Sequence, residues 1–209
     1  MRSYVRYRLS YADLVEWLAE RGATVDRSTV SRWVRRFLPL FAQAARPHRR
    51  AVGGTWRVDE TYCRLNGRQV YCSRAIDQDG QVVDAYCSER RNAAAARAFF
   101  ERAIGETGGT PTRVTTDKAK CYPPALRVVL PEAEHRRSRY LNNGLERDHG
   151  HLKQRLAPMR GFKRLASADA FCRGQALIRN LRQGFSALSE GVPQPLWLVT
   201  AWPVLARAI

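Results

Sequence analysis

Three acidic residues stand where a carboxylate is costly or conspicuous. Asp59 lies inside a strand-like run, WRVDETY, and an unpaired charge there is expensive unless a cation or ion partner compensates it. Asp117 closes a second apolar run in VTTDKAKCY. Glu146 sits in NNGLERDHGHLKQRL, where helical spacing sets Glu146, His149, Gly150 and Lys153 on one face beside a stripe of Leu145, Leu152 and Leu156. Hard cations such as magnesium take oxygen ligands, and clustered carboxylates that hold them close together serve the cutting and joining of phosphodiesters. Each acid alone has a plainer reading: Asp59 as an arginine's partner, Asp117 as a helix cap, Glu146 as one of a surface row of charges. Their joint placement in so basic a chain favours the metal reading. Glu60 and Asp148 are expected to point off the common face, the first by strand alternation and the second by helix rotation.

The basic balance is large. With 36 Lys+Arg against 19 Asp+Glu, the 209 residues carry a formal charge of +17. The excess runs along the whole length, so the expected partner is a polyanion, with nucleic acid foremost; a basic protein needing only solubility or an acidic protein partner is the alternative. A hydrophobic content of 44 % supports a folded core with room for a small second domain. Cys63, Cys72, Cys87, Cys121 and Cys172 are scattered, odd in number and form no C-x-x-C pair, which reads as reduced, mostly buried thiols in a cytoplasmic protein. No stretch approaches the ~18 apolar residues of a membrane span, and the N-terminus lacks an apolar signal core. The C-terminal PLWLVTAWPVLARAI is broken by Pro203 and reads as a segment docked on the core or a frayed end.

Elements that would position the acids follow from the pattern. Residues 10–37 read as two helices, the first capped by Ser10 and ended by Gly22, the second capped by Asp26 or Ser28 with Val30, Trp33, Val34 and Phe37 buried. The other face of the second helix carries Arg27, Thr29, Ser31, Arg32, Arg35 and Arg36, side chains that a helix-turn-helix uses on phosphates and base edges; a plain helical hairpin is the alternative. Residues 42–54 have linker composition. Turns at Asn66-Gly67 and Asp79-Gly80 separate three strand-like runs, a meander signal. A helix, a strand, a short helix, a strand and two further helices come next. That order predicts an α/β fold with a ribonuclease H-like mixed sheet flanked by helices, preceded by a small helix-turn-helix domain. The expected division is 1–41 helix-turn-helix, 42–54 linker, 55–190 catalytic domain and 191–209 tail. In such a sheet the first and fourth strands are neighbours, and Asp59, Asp117 and Glu146 converge.

At VDETY, TTDKAKCYPPAL, EHRRSRYLNNGLERDHGHLKQRL and GFK, with LSYADLVEWLAERGATVDRSTVSRWV before them, the sequence resembles the DDE transposases, specifically the insertion-sequence-six family. The resemblance runs from about residue 9 to 185. It implies a polynucleotidyl transferase in which Asp59, Asp117 and Glu146 bind Mg2+, or Mn2+ in its place, Lys153 positions terminal DNA, and His149 orients water or DNA. It further implies recognition of terminal inverted repeats, strand cleavage and strand transfer by direct phosphoryl transfer, and cointegrate formation. Element ends and target DNA are the implied partners, and two-ended transposition asks for at least a homodimer. An inactive end-binding remnant and a ribonuclease H-like nuclease that cuts without joining are the rival functions. Two departures from the family stand out: the Asp117 to Glu146 gap is short, and few residues precede the helix-turn-helix, which is expected to touch recognition more than catalysis.

Overall fold

The computed structural model describes the chain apart from residues 8, 139–142 and 158, and apart from the side chains of residues 143–149. It opens with three helices, α1 (Arg2–Arg6), α2 (Tyr11–Ala19) and α3 (Arg27–Ala45). Ser10 caps α2 in a reciprocal box: its hydroxyl accepts from the Asp13 N–H at 3.2 Å, and Asp13 accepts from the Ser10 N–H at 2.6 Å. Gly22 takes the left-handed conformation, φ 77°, in the turn that follows. Asp26 caps α3 by accepting from the Thr29 N–H at 2.8 Å. The buried stripe of α3 is Val30, Val34, Leu38 and Phe41, while Trp33, expected in that stripe, is 39 % exposed and Phe37 is half-buried. Trp33 falls about 100° round the helix from Val34, and the surface α3 packs on lies on the Leu38 side.

The sheet follows. β1 (Thr55–Leu65), β2 (Arg68–Asp77) and β3 (Val82–Ser88) form the antiparallel meander. Asn66 and Gly67 both have positive φ, 49° and 80°, as a tight hairpin turn requires. Asn92 caps α4 (Ala93–Thr107), and Gly108 ends it in the left-handed conformation. β4 (Arg113–Thr116), α5 (Tyr122–Val129), β5 (Glu134–Arg137), α6 (Asn143–Leu156), α7 (Leu165–Arg182) and α8 (Trp197–Arg207) complete the chain. The strand order is β3-β2-β1-β4-β5, with β4 parallel to β1 and β5 parallel to β4. This is the ribonuclease H-like mixed sheet flanked by helices.

Strand alternation separates two cores. Trp56 and Val58 of β1 pack with Phe99, Phe100, Tyr122 and Leu126 under α4 and α5. Cys63, Cys72 and Cys87 face the other way, against Phe171 and Cys172 of α7. Cys72 and Cys87 are cross-strand partners, the Cys87 and Cys172 sulfurs are 3.7 Å apart, and these thiols are buried and reduced, serving as small polarizable core residues. The same core takes in Tyr4, Val5, Leu14, Val30, Val34 and Leu38, so the N-terminal helices share their apolar interior with the sheet. A Cβ added to Gly174 of α7 would fall 2.5 Å from the Leu38 side chain, which shows how closely α3 and α7 approach. α3 continues to Ala45, past position 41 where the sequence suggested a boundary.

Of the two readings of the tail, docking is the one observed. Ala201 and Leu205 are fully buried, and Trp202 stacks on Phe41 with ring centroids 4.2 Å apart. Around the β3 edge, Arg102 of α4 donates to Asp84 of β3 at 2.8 Å, to Asp169 of α7 at 2.9 Å and to the Ala85 carbonyl. Among the described residues no helix is long and apolar enough to cross a membrane.

Because Leu38 is fully buried where α3, α7 and the sheet meet, Leu38→Ala is expected to lower stability by about 2–5 kcal/mol. In a urea titration followed by circular dichroism and by tryptophan fluorescence, the two signals should shift together in one transition. A fluorescence transition that separates from the main one would show that the N-terminal helices unfold independently.

Candidate active site

The parallel pairing of β1 with β4 ends at Val58 opposite Thr116. One residue further on each strand stand Asp59 and Asp117, so the register that closes the sheet also brings two carboxylates side by side. Carboxylate oxygens of Asp59, Glu60 and Asp117 lie within 4.8 Å of one another. Asp59 Oδ1 accepts from the Glu60 N–H at 2.8 Å. Asp117 has two tasks: Oδ1 accepts from the Ala119 N–H at 2.9 Å, steadying the turn after β4, while Oδ2 accepts from Arg91 at 2.7 Å.

Glu60 corrects the expectation from strand alternation. Its backbone does face the α5 side, but its carboxylate is drawn into the cluster. The Tyr122 hydroxyl donates to Oε1 at 2.8 Å, and the Arg91 guanidinium pairs with Oε2 at 2.5 Å. β4 ends at Thr116, and beyond that strand end side chains from both faces can meet. Neither Arg91 nor Tyr122 stood out in the sequence; they lie 31 and 62 residues from Glu60 along the chain, and no periodicity connects them to it.

The electrostatics follow from crowding like charges in a half-buried place. Burial pushes the Asp59 carboxyl up, with the charges of Asp117 and Glu60 adding to it, against the Glu60 N–H and Arg91, which pull it down. Burial also raises the Tyr122 hydroxyl well above its usual range, with the charge of Glu60 next. Burial acts to lower Arg91, but its bonds to Glu60 and Asp117 prevail and raise it, so it stays fully charged. Oxygen-only donors at this spacing suit a hard divalent cation.

Other expected residues are placed unequally. α6 packs beside β1, on the strand that carries Asp59, and Leu152 anchors it in the core. Glu146, Asp148 and His149 belong to this helix, and their side chains lie outside the described residues. Lys153 is exposed, whereas Arg155 turns inward and donates to the Tyr4 and Val5 carbonyls at 2.5 and 3.2 Å. On α3, Arg27, Arg32, Arg35 and Arg36 are exposed and Ser31 is half-buried. Thr29 is engaged in the cap, its hydroxyl donating to Asp26 at 3.1 Å and accepting from Arg32 at 2.9 Å. An open cleft beside α3 is lined by Arg35, Arg160, Lys163 and Arg164, joining basic residues far apart in sequence.

The family model described as DDE domain matches residues 53–185, the span that holds the acidic centre. The chain belongs to the DDE transposases. This transposase is a polynucleotidyl transferase of the insertion-sequence-six kind. It is 39 % identical over 157 residues to the transposase for insertion sequence-like element IS431mec of Staphylococcus aureus, covering 73 % of this chain and 70 % of the relative. It is 38 % identical, with the same coverage, to the transposase for insertion sequence element IS257 in transposon Tn4003, also of Staphylococcus aureus. Among solved structures, the catalytic core domain of BIV integrase aligns with a TM-score of 0.46 at 17 % identity, covering 73 % of the transposase and 98 % of that chain. The HTLV-2 integrase catalytic core in complex with magnesium aligns with a TM-score of 0.41 at 14 % identity, covering 72 % and 84 %.

The raised Asp59 carboxyl sets a pH dependence. The folded state holds that proton more tightly than the unfolded chain, so the associated stability is present below the ordinary value of 3.8 and is lost as pH rises through the raised one. Asp59→Asn keeps an acceptor for the Glu60 N–H and removes the charge. Calorimetry in EDTA should find the variant melting above wild type at pH 7, with the advantage gone below pH 3.8; a lower melting temperature at pH 7 would contradict the assignment.

Proposed function

We propose that this transposase binds the terminal inverted repeats of an insertion sequence and joins the element's ends to target DNA. The observation that carries the reading is the adjacency of Asp59 and Asp117 imposed by the β1–β4 register, with α6 packed beside the same strand. Asp59, Asp117 and Glu146 form the cation-holding triad. When bound, Mg2+, or Mn2+ in its place, supplies Lewis-acid activation of the phosphodiester and of the attacking oxygen.

The chain's own residues do the positioning. Lys153, exposed two turns along α6 from Glu146, holds a phosphate of the terminal DNA, and His149 on the same helix orients water or DNA. Arg27, Thr29, Ser31, Arg32, Arg35 and Arg36 of α3 form the end-reading face, the arginines on phosphates and base edges. Thr29 acts there through Arg32, which it holds. In the first step water attacks the phosphorus at the element's end, and the leaving oxygen takes up a proton as a 3′-hydroxyl. In the second step that hydroxyl attacks a target phosphodiester, one P–O bond forms as another breaks, and the target strand leaves with a free 3′-hydroxyl. No covalent protein intermediate is required. The reaction runs on DNA in the cytoplasm, and two ends brought to one target call for at least a dimer.

The test is a strand-transfer assay with labelled DNA from the flanks of the gene, in Mg2+ or Mn2+, with wild type beside Glu146→Gln. Joined products from wild type and none from the variant are expected, a loss of at least about 100-fold given the scale of such electrostatic contributions. Cleavage without joining would make the protein a nuclease, and binding without any product an end-binding remnant. For the recognition face, Arg35→Ala with Arg36→Ala should weaken binding to end duplexes and lower the salt slope by about one unit per lost phosphate contact. An unchanged slope would remove these arginines from the interface.

A further inference from the structure

Arg91 belongs to the short segment between β3 and α4, immediately before the cap residue Asn92. Its guanidinium reaches back over the middle of β1, beside the end of β4, with Nη2 at 2.5 Å from Glu60 Oε2 and at 2.7 Å from Asp117 Oδ2. One nitrogen thus bridges two carboxylates of the acidic cluster. The Glu60 side chain is only 5 % exposed, whereas those of Arg91 and Asp117 are 33 % and 30 % exposed. Arg91 and Asp117 thus stand on the solvent-facing side of the cluster, with Glu60 behind them.

We propose that Arg91 is a built-in counter-cation of the acidic centre, occupying the ground a divalent ion needs and leaving it when that ion binds. The inference rests on the metal reading above and deepens it. Three carboxylates within 4.8 Å repel one another unless a positive charge stands among them. Arg91 provides that charge before metal arrives and keeps the carboxylates gathered. It also competes, because an ion held by Asp117 and its neighbours and a guanidinium Nη2 at 2.7 Å from the same carboxylate exclude each other by contact and by charge. Metal binding must then break two ion pairs, which weakens apparent affinity. The freed guanidinium, always charged and shaped for bidentate contacts, finds its next partner in a phosphate of DNA lying at the centre. Arg91 thereby couples the two ligands: DNA tightens metal binding, and metal tightens DNA binding by the same factor.

The full chain is titrated with Mn2+ by calorimetry, as wild type, Arg91→Gln and Arg91→Lys, with and without an end duplex. Arg91→Gln is expected to bind Mn2+ about tenfold tighter than wild type, within the usual range of coupling, and to lose the enhancement by DNA. Arg91→Lys keeps the charge and is expected to stay near wild type. Equal or weaker Mn2+ binding by a folded Arg91→Gln, or equal tightening by Arg91→Lys, overturns the inference while leaving the metal reading in place. If neither wild type nor variant binds Mn2+, the metal reading falls and takes the inference with it. A second readout needs no variant: as Mg2+ is added to wild type, the NMR signal of the Arg91 side-chain N–H groups should move from an ion-paired to a solvent-exposed position. A signal unchanged at saturating Mg2+ overturns the proposal.

Discussion

The short parallel pairing of β1 with β4 is the contact on which the rest of the molecule depends. It spans Thr55 to Val58 on one strand and Arg113 to Thr116 on the other. Hydrogen bonds of a parallel ladder fix register residue by residue, so the next positions, Asp59 and Asp117, become neighbours without needing to attract each other. They would in fact repel. The apolar faces of the two strands drive the pairing through Trp56, Val58 and Val114, all buried against α4 and α5. The hydrophobic core therefore holds together a pair of like charges that electrostatics alone would separate.

That arrangement creates a demand for positive charge, which the surroundings meet in a graded way. Close in, Arg91 bridges Glu60 and Asp117, and the buried Tyr122 hydroxyl fixes the far oxygen of Glu60. Further out, the chain's +17 charge is displayed on the exposed face of α3 and along the cleft with Arg160, Lys163 and Arg164. A basic surface around an acidic centre attracts a polyanion while keeping its local site selective for a cation.

The N-terminal helices are not an appendage. Tyr4, Val5, Leu14, Val30, Val34 and Leu38 contribute to the core beneath α7, and Arg155 of α6 bonds the carbonyls at the end of α1. The helix that carries Glu146 is thus braced on one side by the sheet and on the other by the region that carries the proposed end-reading face. On the proposed reading, rigid packing of this kind gives DNA held at α3 a fixed direction toward the acidic centre.

Much of this was legible in the residues themselves. Asn66-Gly67, Ser10 and Asp26 are local signals, and each makes the turn or cap it implies because the interaction closes within a few residues. The order of elements likewise pointed to the sheet, and the half-buried strand acid Asp59 to the place where acids gather. What the sequence did not contain was the result of long-range packing. Trp33 stays outside the buried stripe because α7 selects the Leu38 side of α3. Glu60 joins the acids against strand alternation because Tyr122 and Arg91, brought from α5 and from the segment before α4, pull its carboxylate past the end of β4. Local spacing determines which face a backbone presents, but where a charged side chain comes to rest is decided by the partners that the tertiary fold places within its reach.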